Sequence, residues 1–152
     1  MTLPPLNRAG IVLGIGLGGL FDGIVLHQIL GWHHMVCLTE TCQPDSLQAV
    51  KLQTMQDGFF DLAVLLITLA GIVLMFRATR QQPTLWSPKV FLGAVLGGWG
   101  VFNFAEGLVD HQILGLHHVL PGSPHSFLFD MLFLASGLLF AGVGWKMARR
   151  VG

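Results

Sequence analysis

Four long apolar stretches, each ended by a cluster of polar residues, organise this chain. They run from Ala9 to about Leu30, over Gly58–Phe76, from Val90 to about Leu114, and over Phe127–Trp145. Each is close to the roughly 20 residues that a helix needs to cross a hydrocarbon core about 30 Å thick. None alternates apolar and polar positions with the period of two that a membrane barrel strand requires, so helices must satisfy the backbone. The expectation is an all-α membrane protein with four transmembrane helices, one domain over residues 1–152. Short connections favour an up-down-up-down bundle. The glycines of LGIGLGGL and LGAVLGGWG suit close helix contacts in lipid. The first stretch lacks a basic leader and a small-residue cleavage site, so it reads as a helix rather than a signal peptide.

Composition sharpens this picture. Hydrophobic residues make up 53% and charged residues 11%, against about a quarter charged in soluble domains. Net charge is zero, yet seven of the eight Lys and Arg lie at one set of helix ends: Arg8, Arg77, Arg80, Lys89, Lys146, Arg149 and Arg150. The positive-inside rule puts the N-terminus, the loop FRATRQQPTLWSPK and the tail in the cytoplasm, with the protein in the inner membrane. Loops 31–57 and 115–126 then face outward. A basic tail beside a membrane signals topology, so the bilayer is the implied partner and nucleic acid is not. Homo-oligomerisation stays open.

The polar positions repeat. DGIVLHQILGWHHMV at 22–36 and EGLVDHQILGLHHVL at 106–120 share nine of the fourteen positions counted from Gly23 and Gly107. The first helices align at an offset of 84. Aligning Asp61 with Asp130 gives 69 for the second helices. This predicts two tandem helix-pair repeats, about 9–77 and 90–146, related by an axis along the membrane normal.

All eight acids and all seven histidines fall in the outward half. Asp22, Asp61, Glu106 and Asp130 lie 14 to 17 residues from the nearest basic residue on the cytoplasmic side, roughly 21–26 Å at the helical rise. A carboxylate at the membrane centre costs about 2.5–3.5 kcal/mol to insert, so four at one depth point to a purpose. Imidazole with carboxylate is a ligand set for iron, manganese, zinc or copper. The expected ligands are His27, His34, His111 and His118 with Asp22, Glu106, Asp61 and Asp130; His33, His117, His125 and Asp110 are secondary candidates. Spacing complicates a shared ion. Asp22 and His27 are five apart, as are Glu106 and His111, which is about 140° around an α-helix; only a π-bulge would bring them together. His27 and His34 share a face if the helix continues past Gly31, and His111 and His118 if it continues past Gly115. That would set a histidine site nearer the surface, with acids below it as supporting groups. Carboxylate-bridged soluble bundles set the precedent for a dinuclear site. The alternative for the acids is a neutral hydrogen-bonded network with Asn103, Gln28 or Gln112.

Cys37 and Cys42 share an outward loop, where an oxidising compartment favours a disulfide; soft-metal ligation or redox exchange is the alternative. The doubled motifs DG-x-x-LHQILGWHH and EG-x-x-DHQILGLHH on four hydrophobic segments resemble a bacterial integral-membrane family catalogued as domain of unknown function 2243. The resemblance implies a four-helix membrane protein and carries no activity, ligand or catalytic residue. There is a looser likeness to histidine-box membrane hydroxylases and desaturases. The functional expectation is a membrane metalloprotein with an outward-opening transition-metal site doing redox or metal-assisted hydrolytic chemistry. The competing class is a copper or zinc handler exchanging metal with an extracytoplasmic donor or acceptor, using the His pairs, Cys37, Cys42, Met35 and Met55. Haem held by His27 and His111, or a purely structural subunit, ranks lower.

Overall fold

A computed structural model describes residues 3–37, 39–81 and 87–149; Arg150 and most of the loop between the second and third helices lie outside that range. Helix α1 (Pro5–Phe21) continues into a π-helical segment, Asp22–Ile29. Helix α2 spans Leu47–Gln81. Helix α3 (Pro88–Glu106) likewise continues into a π-helical segment, Gly107–Ile113, and α4 spans Ser126–Ala148. All four are long and apolar enough to cross a membrane, counting Pro5–Ile29 and Pro88–Ile113 as single spans.

The starts follow local chemistry. Pro5 and Pro88 occupy first-turn positions, where the missing N–H would be unpaired anyway. Ser87 Oγ accepts from the Val90 amide at 3.4 Å, and Ser46 Oγ accepts from Ala49 at 3.1 Å. Ser46 explains a correction. Helix α2 begins at Leu47, eleven residues before the apolar run that marked it at Gly58. Its first three turns carry Gln48, Lys51, Gln53, Gln56 and Asp57, polar enough to hide them from a hydropathy reading yet capped to form helix.

Helix α1 packs against α2 and α3, and α3 packs against α4; these are the extensive interfaces. Glycine makes them close. A side chain at Gly14 would meet the Val95 backbone and one at Gly98 the Ile11 backbone, so α1 and α3 touch main chain to main chain. Gly16 faces Thr68 while Gly100 faces Ala141, and Gly71 faces Leu13 while Gly144 faces Gly97. These pairs correspond at 84 between α1 and α3 (100 − 16, 97 − 13) and at 73 between α2 and α4 (141 − 68, 144 − 71). The 69-residue alignment of Asp61 with Asp130 is therefore not the one the contacts follow.

Candidate metal centre

Both histidine motifs start inside a π-helical segment, and this changes their geometry. A π turn bonds residues five apart. The Leu30 amide reaches Val25 O at 2.9 Å and the Leu114 amide reaches Val109 O at 2.8 Å. Widening the turn brings the i and i+5 side chains together. His27 Nε2 lies 3.0 Å from Asp22 Oδ2, and His111 Nε2 lies 3.4 Å from Glu106 Oε1. An α-helix would hold these pairs about 140° apart.

Each segment then stops. Gly31 and Gly115 adopt φ of +57° and +59°, and the Trp32 and Leu116 amides bond back to Leu26 O and Asp110 O at 3.0 and 2.8 Å. Each bond spans one residue more than the six-to-one closure of a Schellman end, as the wider π turn requires, with glycine at the same left-handed position. The helix does not continue past Gly31 or Gly115, so His27 with His34, and His111 with His118, do not share a helical face. The chain turns back, and the first histidine of each pair swings inward while the second points out.

The interior therefore holds His27, His33, His111 and His117 with Asp22 and Glu106, all buried. The rings of His33 and His117 stack at 4.5 Å, flanked by His27 and His111 at 4.6 and 4.7 Å. Phe60 lies beside His27 and Phe133 beside His111, with centroids 5.6 and 5.4 Å apart. Two groups bring their ligand atoms within 4.8 Å of one another: His33, Glu106, His111 and His117, and Asp22, His27 and His33. Glu106 Oε1 is 3.5 Å from His117 Nε2, and Asp22 Oδ1 is 4.0 Å from His33 Nε2.

Every inner ring turns its Nδ1 to an acceptor. His33 Nδ1 bonds Val119 O at 2.8 Å, and His117 Nδ1 bonds Met35 O at 3.1 Å, each half bracing the other. A carbonyl oxygen only accepts, so both Nδ1 atoms carry a proton. His27 Nδ1 donates to Asp57 Oδ1 at 3.2 Å, and His111 Nδ1 faces Asp130 Oδ1 at 3.6 Å. The same carboxylates take His34 Nδ1 and His118 Nδ1 at 2.6 Å each, and the Met35 and Val119 amides at 2.8 and 2.9 Å. Asp57 and Asp130 are thus equivalent, at the same offset of 73.

No well-aligned hydrogen bond is made by Nε2 of His27, His33, His111 and His117, by either oxygen of Asp22 or by Oε2 of Glu106, nor by the outward His111 Nδ1; the inward atoms meet only in the carboxylate–imidazole approaches of 3.0–4.0 Å. Such a cluster of orphaned buried polar atoms is rare in native proteins and calls for an occupant. His33 lies beyond the first span. Burial first, then the neighbouring imidazoles of His117 and His27, hold its pKa down at about 3 from an ordinary 6.5, so the ring stays neutral and its Nε2 carries a lone pair.

The expected ligands are thus distributed unevenly. His27, His111, Asp22 and Glu106 converge, joined by His33 and His117. His34 and His118 hold the outer oxygens of Asp57 and Asp130, with His118 half exposed. Asp130 supports His111 rather than facing the cluster centre. Asp61 accepts from Gln28 Nε2 and belongs to neither ligand group. His125 is exposed at the start of α4, and Asp110 contributes its carbonyl to the helix end. Asp57 was not anticipated. The signal was in the sequence: an offset of 73 also aligns Phe60 with Phe133, Leu65 with Leu138, Leu66 with Leu139 and Gly71 with Gly144. A disulfide joins Cys37 to Cys42. It sits in the loop behind His34, whose amide donates to Cys42 Sγ at 3.3 Å.

Fold and site together define an integral membrane protein with a buried histidine–carboxylate core. The chain belongs to DUF2243, a family of predicted membrane proteins, whose profile matches residues 9–151. No curated protein and no solved structure matches it.

Proposed function

We propose that the protein is a membrane metalloprotein whose resident transition-metal centre is held by His27, His33, His111, His117, Asp22 and Glu106. One observation carries this reading: four imidazoles turn Nε2 inward towards Asp22 and Glu106, at 3.0–4.0 Å and without a well-aligned hydrogen bond, while their Nδ1 atoms face carboxylates or carbonyls. Ligating histidines are oriented in this way by the groups around them. A protonated His27 between Asp22 and Asp57 would relieve that ring, but it leaves His111 and His117 sharing the single oxygen Glu106 Oε1 at 3.4 and 3.5 Å, and His33 Nε2 4.0 Å from Asp22. A cation satisfies them together. Four nitrogens and two carboxylates suit one six-coordinate ion, or two ions completed by water, with iron, manganese, zinc or copper fitting the donors.

Burial of the whole set favours a resident centre over a delivery site. The disulfide also takes from the metal-handler reading the two thiolates it would use. The chemistry open to the centre is redox or metal-assisted hydrolytic, with His34–Asp57 and His118–Asp130 holding the inner rings from outside. Arg8 and Arg77 line one cavity, which supports an up-and-down chain with its basic end in the cytoplasm and the metal nearer the outer face.

The test is elemental analysis of untagged protein in mild detergent, beside His33→Ala/His117→Ala and the exposed-site control His125→Ala. About one or two equivalents of one metal, kept in the control and lost in the double variant, is the expected result. A parent that takes up no transition metal on reconstitution overturns the proposal.

A further inference from the structure

Beside the histidine core lies a cavity of about 570 Å³ between α1, α3 and α4, well within the range of small-molecule sites. Its walls are aromatic: Phe21, Trp32, Trp99, Phe129, Phe133 and Phe140. They are tied in pairs, Phe21 to Trp99 at 5.3 Å, Trp32 to Phe129 at 6.4 Å and Trp99 to Phe140 at 6.5 Å between centroids. Phe21 and Leu132, on its lining, are 46% and 57% exposed and lie within membrane-spanning helices, so the cavity is reached from the lipid side.

Polar groups enter at a few points only. Asn103 Nδ2 donates to Ser136 Oγ at 3.2 Å on the wall. Asp22, only 2% exposed, also lines the cavity; its Oδ2 lies 3.0 Å from His27 Nε2, while its Oδ1 has no hydrogen-bond partner and nothing nearer than His33 Nε2 at 4.0 Å among its ion-pair contacts. An apolar aromatic chamber ending on a buried carboxylate with one unpartnered oxygen selects its occupant. Offset or edge-on stacking favours a flat ring over a saturated lipid chain. The carboxylate favours a hydroxyl that can donate to it, since a buried acceptor left unpaired is expensive.

We infer that this cavity binds a lipid-soluble phenol, an aromatic ring with a hydroxyl and an apolar tail, whose hydroxyl meets Asp22 beside the metal centre. The assignment rests on the metal-centre reading for its place in the chemistry, but not for its binding. The ring lies between the aromatic walls, the tail leaves past Phe21 and Leu132 into the bilayer, and the hydroxyl is the only part that reaches the core.

The test uses the whole protein in lipid nanodiscs, with empty discs as the blank, and 4-decylphenol as probe. Its methyl ether, 4-decylanisole, and decylbenzene are the comparisons, and metal content is measured on the same samples. The expected result is saturable binding of the phenol, with both comparisons weaker by about tenfold or more, because neither can donate to Asp22. Leu132→Trp and, independently, Leu96→Trp should fill the chamber and abolish phenol binding while leaving metal content unchanged. Equal binding of all three probes marks a lipid crevice and overturns the assignment, as does phenol binding undiminished in both filled variants. A parent that holds metal but no phenol overturns this inference alone. A parent that prefers the phenol but takes up no metal overturns the metal-centre reading and leaves the cavity assignment standing.

Discussion

Replacing Asp57 with Asn tests whether the centre is built as described. The change is nearly isosteric, and Asp57 does not face the cluster centre, so any effect on metal must pass through His27. In the parent its carboxylate accepts from three donors: His27 Nδ1, His34 Nδ1 and the Met35 amide, at 3.2, 2.6 and 2.8 Å. Asn keeps one accepting oxygen, which can still serve His27 and Met35. Its amide nitrogen then confronts the proton on His34. Two bonds fall from charge-assisted strength, about 1.5–3 kcal/mol, to neutral strength, about 0.5–1.5 kcal/mol. The third is lost or must be rebuilt by a change of tautomer. For metal only the His27 bond counts directly, and loss of such orienting partners lowers affinity about 10–100-fold. The assay strips the protein by chelation and titrates metal back against a competing chelator of known affinity, for Asp57→Asn and for Asp61→Asn. Asp61 takes only the Gln28 amide, which Asn can also accept, so a change of about threefold or less is expected there. The reasoning is refuted if Asp61→Asn weakens metal binding as much as Asp57→Asn, or if Asp57→Asn leaves it unaltered.

Three further outcomes follow from the same contacts. Gly144→Leu should break the α3–α4 interface, because its side chain would enter the backbone of Gly93 and Gly97; a loss of about 1–3 kcal/mol or more in detergent unfolding is expected, against little change for Gly142→Leu, which meets nothing within 4 Å. Gly31→Ala and Gly115→Ala meet no neighbour within 4 Å, so each should lower stability only by the left-handed strain of about 1–2 kcal/mol, read as additive shifts in thermal melts. Reducing the Cys37–Cys42 disulfide opens a small loop and should lower stability by about 2 kcal/mol while metal content persists, whereas a thiolate metal site would show altered metal content on reduction.

Much of the fold was legible because the membrane imposes it. Apolar length alone marked the four spans, and the doubled motif marked where the polar core would form. What hydropathy could not see was the amphipathic start of α2. There Gln48, Lys51 and Gln53 hide a helix that is capped by Ser46 and brings Asp57 to the core. Aligning by the acid nearest the apolar run therefore chose Asp61. The contacts of Asp57, Phe60 and Gly71 with the first helix choose otherwise. Similarly, both histidines of each pair look alike in sequence. Only the turn at Gly31 or Gly115 decides that His33 and His117 go in, and that His34 and His118 stay outside.

The five-residue spacing from acid to histidine carries the strongest link between sequence and chemistry. On an α-helix it argues against a shared ion, and that objection is removed only if the helix widens. A π turn is uncommon and poorly favoured on its own, yet it occurs within one residue of the same place in both motifs, over Asp22–Ile29 and Gly107–Ile113. In each it begins at or just after the acid and ends two residues before the glycine that closes the helix. The wider turn sets Asp22 against His27 and Glu106 against His111, and the glycine then folds back the loop bearing His33 or His117. The peptide units at Met35 and Val119 lock the result: each amide holds the carboxylate of its own half, and each carbonyl holds the imidazole of the other. A mere polar network tying helices together would pair its donors with acceptors. Here three of the four outward Nδ1 atoms have hydrogen-bond acceptors, whereas none of the four inward Nε2 atoms makes a well-aligned hydrogen bond, the asymmetry on which the metal proposal rests.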